Sequence, residues 1–231
     1  YALDQFPMRE TFRRIHAVYR FRILGQKDTN QIYLVGDQAS KLEYPMNEAY
    51  VLGAAKKFNA LYERYLSGMR VYYSVIPDKN YFLADKNGYP SMDYNHLTQI
   101  LRENVRDMTY LDLFSSLTID DYYRTDTHWK QERLSSVLTV LGEGMGFAAP
   151  DLSAWRANVY APFYGVYCGQ AALPIGSDTL TYLTGDAVNS ATVWNYETNQ
   201  EEPVYPLEKL NGMDPYDVFL GGAAPLLKIT S

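Results

Sequence analysis

Apolar residues recur at helical spacing in four segments of the first 150 residues, and this spacing predicts four helices. In the first segment the apolar face consists of Phe12, Ile15, Val18, Tyr19 and Ile23. The other segments are Asn47–Leu66, followed by Gly68 as a C-cap glycine; Ser91–Val105, with Ser91 as N-cap; and Leu134–Leu141, where Gly142, Gly144 and Gly146 are expected to end the helix.

Short β-rich runs lie between these helices. Gln31–Val35 and a second run near Leu42 flank Gly36-Asp37-Gln38, which predicts a hairpin. Val71–Ile76, closed by Pro77, and Tyr110–Leu113 are the further predicted strands. Helices and strands thus alternate, as in an α/β layer built on a parallel sheet.

Beyond Pro150 the helical spacing disappears. Short β-like runs such as Thr179–Leu183 and Ala191–Tyr196 alternate with turn residues. We therefore expect residues 1–150 to form the α/β part of a single domain over 1–231. Residues 151–231 are expected to form an irregular, mostly antiparallel, β-rich extension packed on it.

Composition restricts the functional classes. The net charge of -6 and the scattered basic residues argue against a nucleic-acid binder. Cys168 is the only cysteine, so no intramolecular disulfide can form. No window approaches 18 consecutive apolar residues, and no signal-peptide pattern occurs. Because the chain begins at Tyr1, we expect that its native N-terminus, and with it any targeting segment, has been removed.

The strongest chemical signal is Asp126-Thr127-His128-Trp129 in the predicted loop before the fourth helix. A histidine that acts as a general base needs a partner on its other ring nitrogen, and an aspartate two residues away in a non-helical segment can reach it. Two alternatives stay open. Asp126 or Thr127 can be the N-cap of the following helix, and Asp126, His128, Asp121 and His96 can surround a divalent ion, although no recurrent ligand spacing favours metal.

The segment Thr125-Asp126-Thr127-His128-Trp129 resembles the signature of the DHHW family of bacterial proteins. It is also similar to the Asp-x-His element of SGNH-like acyltransferases that O-acetylate exopolysaccharides. Further similar stretches are Asp4–Glu10, Ile32–Gly36, Val75–Lys79, Phe163–Tyr167 and Asp214–Asp217, so that the resemblance covers nearly the whole chain.

This resemblance implies a three-layer SGNH/flavodoxin-like core with a parallel sheet, incomplete at the C-terminus. It implies His128 as the base and Asp126 as its orienter. Arg124 and Trp129 are candidate substrate contacts, although Trp129 is expected mainly to pack the loop. The implied function is that of an esterase or O-acyltransferase. It would act on an acylated carbohydrate or cell-wall polymer outside the cell or at its surface, without a cofactor or bound metal.

The resemblance also implies a serine nucleophile in a later strand-turn-helix, and we expect this chain to be truncated before it and inactive alone. Four internal candidates for a nucleophilic site are weak: the turn Gly36-Asp37-Gln38, Ser74 in a strand, Ser177 in a turn, and Cys168, expected to be a small buried residue. An alternative function is a non-catalytic carbohydrate-binding or surface module. Its binding face would use the β-rich region and some of the 22 tyrosines, although tyrosines are more often partly buried packing residues.

Overall fold

The computed structural model describes residues 8–230, whose chain divides into two units that are each discontinuous in sequence. The first unit holds the described residues up to Ala39, the segment Tyr122–Leu134, and the described residues from Asp151 onward. The second unit holds Ser40–Asp121 and Ser135–Pro150. A single domain divided at residue 150 stays a prediction.

Seven α-helices and ten β-strands occur within residues 8–230. The helices are α1 (Arg9–Val18), α2 (Glu48–Leu61), α3 (Lys79–Leu83), α4 (Tyr94–Asn104), α5 (Ser135–Met145), α6 (Val166–Ala171) and α7 (Asp186–Asn189). The strands are β1 (Asp28–Thr29), β2 (Ile32–Val35), β3 (Gln38–Lys41), β4 (Tyr72–Tyr73), β5 (Thr109–Tyr110), β6 (Arg156–Phe163), β7 (Asp178–Thr184), β8 (Thr192–Asn195), β9 (Gln200–Pro203) and β10 (Leu227–Thr230).

In the first unit, α1 continues into a π-helical turn over Tyr19–Ile23, which confirms the first predicted helix. The predicted apolar face is largely exposed, and Ala17 is the residue of α1 that enters the core. There it packs with Ile32 and with a cluster from the segment around α6. The predicted hairpin is confirmed, because β2 and β3 are neighbours in a three-stranded sheet of order β1-β2-β3.

The segment after residue 150 is mostly antiparallel, as predicted. Strands β6 and β7 pair over most of their length, and β8 pairs with both β9 and β10. The core beneath them contains Tyr123, Phe163, Leu180 and Val218, all buried. The helices α6 and α7 also lie in this segment, where no helical spacing was recognised, because they are too short to produce one.

In the second unit, Ala55 of α2 packs against Leu101 and Val105 at the end of α4. Both helices lie where they were predicted. The N-cap of α4, however, is Asp93, whose carboxylate accepts from the His96 backbone N–H, so the assignment of Ser91 was wrong. Gly68 has a φ of +81°, as expected of a residue that ends a helix.

The predicted end of the last helix was wrong for Gly142 and Gly144 and right for Gly146, because α5 continues through the first two glycines to Met145. These glycines permit close packing. A Cβ on Gly142 would lie 2.7 Å from the carbonyl oxygen of Phe147, and one on Gly144 would overlap the side chain of Leu111. The helix ends at Gly146, which has a φ of +80°.

The mixture of helices and sheets confirms the α/β class in its coarse form. Strands β4 and β5 form a parallel pair, with Tyr72 opposite Thr109 and Tyr73 opposite Tyr110. Each of these two strands is two residues long, shorter than the predicted strands Val71–Ile76 and Tyr110–Leu113. No helix within residues 8–230 has both the length and the hydrophobicity that a bilayer span requires.

Candidate active site

Asp126 and His128 lie in a loop of the first unit that is closed by an isolated antiparallel bridge between Tyr122 and Trp129. The helix that follows, α5, begins only at Ser135. Asp126 and Thr127 are therefore too far from the start of α5 to serve as its N-cap. The N-cap alternative is excluded, and the aspartate side chain has a different partner.

That partner is His128. Its ring Nδ1 lies 2.6 Å from Oδ1 of Asp126, and its backbone N–H donates to the same oxygen at 2.9 Å. The second oxygen, Oδ2, accepts from the backbone N–H of Val166 at 2.8 Å. The spacing of two residues thus brings aspartate and histidine together, as the sequence predicted.

The contacts of Asp126 favour its ionised form. Burial of the side chain opposes ionisation, but the hydrogen bonds from His128 and Val166 and the charge of His128 outweigh it, so that the pKa of Asp126 is lowered. An ionised carboxylate only accepts hydrogen bonds, so Nδ1 of His128 carries the proton that points at Asp126. In the neutral ring, Nε2 consequently presents its lone pair, which is the tautomer that a general base needs.

The His128 side chain is half-exposed, at 43%, whereas that of Asp126 is fully buried. One face of the imidazole is covered by the ring of Tyr216, with centroids 3.8 Å apart and planes at 8°. Tyr216 belongs to a 3-10 turn, Pro215–Val218, which Asp214 caps by accepting from the Tyr216 N–H at 3.0 Å. The stack and the Asp126 contact together restrict the orientation of the ring.

A buried carboxylate, Asp178, anchors the loop just before the pair. Its Oδ2 accepts from the backbone N–H of Thr125 at 2.8 Å and from the Thr125 hydroxyl at 2.7 Å. The same hydroxyl accepts from the N–H of Gly165 at 3.0 Å. Thr125 is fully buried and Asp178 is 5% exposed, so these bonds are shielded from water. They hold the backbone at the residue immediately before Asp126.

Arg124 also joins this network. Its Nε donates to Asp178 at 3.1 Å, its Nη1 to Asp37 at 2.9 Å, and its Nη2 to the carbonyl of Ser177. The hydrogen bonds that Arg124 donates to Asp37 and Asp178 raise the pKa of the guanidinium above its usual range. The structure thus gives Arg124 a role in fixing the loop, and a substrate contact by Arg124 or Trp129 stays a prediction.

Gly165 allows two segments to approach each other at the site. A Cβ at this position would lie 2.5 Å from the carbonyl oxygen of Thr125 and 2.7 Å from Cα of Asp126. Any side chain would push these backbones apart and lengthen the Val166 bond to Asp126. The backbone here is extended, so the glycine is required by packing and not by its φ angle.

None of the hydrogen bonds within residues 8–230 joins Nε2 of His128 to a serine or cysteine. Burial raises the pKa of the Cys168 thiol, and this disfavours the thiolate that a cysteine nucleophile requires. Ser177 immediately precedes β7, and its carbonyl accepts from Arg124; Asp37 in the β2–β3 turn also binds Arg124. These positions have structural contacts that the sequence did not reveal.

The metal alternative rested on a cluster of His and Asp residues: Asp126, His128, Asp121 and His96. Within residues 8–230, no group of three or more His, Cys, Asp or Glu side chains is arranged to hold an ion. His96 lies in the second unit and pairs with Glu48, its Nε2 being 3.0 Å from the carboxylate.

Three residues of the site were missed from sequence: Gly165, Asp178 and Tyr216. Two of them, Gly165 and Tyr216, do lie within stretches that resemble the DHHW family. Asp178 had no signal except its place beside a turn, because a buried carboxylate and a turn aspartate look alike in sequence.

No protein-family model matches the sequence, and no curated protein matches it. Solved structures do match. A DHHW family protein from Eubacterium siraeum has a TM-score of 0.67 and 17% identity, over 87% of this chain and 71% of its own. PatB1 of Bacillus cereus with a sulfonyl adduct has a TM-score of 0.64 and 13% identity, over 85% and 72%. A second structure of Bacillus cereus PatB1 has a TM-score of 0.59 and 14% identity, over 85% of this chain and 74% of its own.

At these identities the likeness shows the fold. The resemblance to the DHHW family, first recognised from Thr125–Trp129 and the stretches around it, is confirmed at this level.

Proposed function

We propose that the chain carries the base and its orienter of an O-acyltransferase or esterase on an SGNH-like scaffold that contains a parallel sheet. The observation that carries the proposal is the 2.6 Å contact between Nδ1 of His128 and the buried, ionised carboxylate of Asp126. Similarity to the PatB1 fold supports an acyltransferase-like scaffold.

In the proposed reaction, a serine hydroxyl approaches Nε2 of His128 and attacks the ester carbonyl of an acylated donor. Nε2 takes the hydroxyl proton while the new C–O bond forms, and the resulting imidazolium is stabilised by the Asp126 carboxylate. When the tetrahedral intermediate collapses, the donor C–O bond breaks and His128 returns the proton to the leaving oxygen. A carbohydrate hydroxyl, or water in hydrolysis, then gives its proton to Nε2 and attacks the acyl-enzyme carbonyl. The C–O bond to the serine breaks, and His128 returns the proton to the serine oxygen.

The geometry supports this assignment over a structural role for the histidine. A general base needs a ring nitrogen that a substrate hydroxyl can reach, and the His128 side chain is 43% exposed, with no hydrogen-bond partner at Nε2 within residues 8–230. Tyr216 covers one face of the ring and leaves its edge accessible. The proposed substrate is an acylated cell-envelope carbohydrate, and the proposed location is the cell surface. The reaction needs no metal or cofactor.

The test is hydrolysis of p-nitrophenyl acetate and of an O-acetylated chitooligosaccharide by the full-length protein. His128→Gln should lower kcat/KM by about 10³–10⁴-fold, and Asp126→Asn by a similar factor, because the asparagine amide favours the wrong tautomer of His128. His16→Gln, at an exposed histidine of α1, is the matched control and should retain activity.

Two outcomes would contradict the proposal. If His128→Gln hydrolyses both esters as fast as the wild type, His128 is not the base. If the folded wild-type protein hydrolyses neither ester, the non-catalytic binding module becomes the better description.

A further inference from the structure

A cavity of about 660 Å³ lies in the first unit against the residues that hold Asp126 and His128. Gly165 and Val166 line it, and their backbone N–H groups bind the Thr125 hydroxyl and the Asp126 carboxylate. Its size falls within the range of small-ligand sites.

Asp214 lines the same cavity and connects it to the histidine. Its carboxylate caps the turn that places Tyr216 on the His128 ring. Burial, together with the negative charges of Asp126 and Asp217, raises the pKa of Asp214, while the charge of His128 lowers it. The Asp214 carboxyl therefore interacts electrostatically with both Asp126 and His128.

The lining combines an apolar floor with a polar rim. Ala172 and Leu173 are buried and form the floor together with Ile175. Glu10 and Arg14 from α1 are exposed at the rim. Tyr164, next to Gly165, also lines the cavity and is 56% exposed, so part of its ring is available to a ligand.

This combination favours a neutral, polyhydroxylated ligand. Carboxylates accept and a guanidinium donates hydrogen bonds, so hydroxyl groups can satisfy both. Glu10 is paired with Arg13, whose guanidinium also donates to the carbonyl of Gly169 in the cavity wall. The remaining charged groups, Arg14 and Asp214, are of opposite sign, so an anion such as phosphate would find no net positive charge here. A long acyl chain would leave these charged groups desolvated without partners. The aromatic ring of Tyr164 suits the C–H face of a sugar.

We propose that this cavity is the subsite that binds the carbohydrate acceptor, with Tyr164 as its stacking platform and Arg14 and Asp214 as hydrogen-bonding groups. Only the role of the sugar as acceptor rests on the proposed acyl transfer. Binding of the sugar itself requires neither the nucleophile nor the proton transfer at His128.

The experiment is isothermal titration of the protein with chitotetraose, a neutral N-acetylglucosamine tetramer. The wild type should give saturable heat. Tyr164→Ala should weaken binding about ten-fold, since it removes an exposed ring that would stack on the sugar. Gly169→Leu should weaken it by at least as much, because Gly169 lines the cavity and its added Cβ meets no atom within 4 Å, so the side chain occupies space that the ligand needs. Tyr196→Ala, at another exposed tyrosine of the same unit, is the control.

The outcomes separate this inference from the proposed function. Binding that is weakened by Tyr164→Ala, retained in Tyr196→Ala and retained in His128→Gln supports the subsite, whatever the ester assays show. Absence of saturable heat with the wild type overturns it. Equal affinities of the wild type and Tyr164→Ala also overturn it, even where His128→Gln abolishes ester hydrolysis.

Discussion

Replacement of Asp178 by alanine tests whether a buried carboxylate from β7 holds the active-site loop. The substitution removes the acceptor of three hydrogen bonds, two from Thr125 and one from Arg124. The Thr125 N–H and hydroxyl are then left buried, since Thr125 is fully inaccessible to solvent. Arg124 keeps its bond to Asp37, so its positive charge stays paired.

The size of the effect follows from these contacts. Hydrogen bonds to a charged acceptor contribute about 1.5–3 kcal/mol each. Their sum overstates the loss, because the variant no longer pays for desolvating the Asp178 carboxylate, which is 5% exposed in the folded protein. We therefore expect Asp178→Ala to lower the free energy of unfolding by about 3–5 kcal/mol, as when one partner of a buried ionic contact is removed.

The assay is urea unfolding at neutral pH of the wild type, Asp178→Ala, Thr125→Val and the double variant. The double-mutant cycle should give a coupling free energy of about 1–3 kcal/mol between the two side chains. Asp85→Ala, at an exposed aspartate of the second unit, is the control and should change stability by less than about 0.5 kcal/mol.

Two results would refute this reasoning. One is a loss of stability in Asp178→Ala no larger than that of Asp85→Ala. The other is additive behaviour of Asp178→Ala and Thr125→Val, which would show that the contact carries no energy of its own.

Three further predictions concern the same site. Gly165→Ala should destabilise the protein by about 1–3 kcal/mol by overpacking against Thr125 and Asp126, measured by thermal unfolding, and a wild-type midpoint would contradict the close approach. Tyr216→Leu should lower the free energy of unfolding by about 0.5–1.5 kcal/mol more than the loss of buried apolar area explains, because the ring stack is removed. The same variant should shift the His128 ring-proton resonances downfield in NMR spectra, whereas Tyr216→Phe should leave them near their wild-type positions. The pKa of Asp126 is lowered by folding, so its contribution to stability is complete above about pH 4 and is lost as pH falls through the lowered pKa. The free energy of unfolding of Asp126→Asn, measured between pH 5 and pH 2, should lack this pH-dependent loss. A pH dependence equal to that of the wild type would contradict the prediction.

The order of the elements could largely be read from sequence. Apolar residues at helical spacing located α2 and α4, because each helix buries one face against the other in the second unit. The same rule placed α1 but not its environment, since much of its apolar face is exposed. Element ends were less predictable. The choice of Asp93 over Ser91 as the N-cap of α4 depends on which side chain reaches the first turn.

By itself, the sequence determined that Asp126 and His128 can pair, because two residues in an extended loop suffice to bring carboxylate and imidazole together. Only the tertiary structure decided that the pair is held. Val166 lies 40 residues from Asp126, and Asp178 lies 53 residues from Thr125. Hydrogen bonds between residues so far apart in sequence leave no local pattern, since either partner alone resembles an ordinary loop residue. The physical reason is that burial, which makes these contacts strong, arises only when the separate segments pack together.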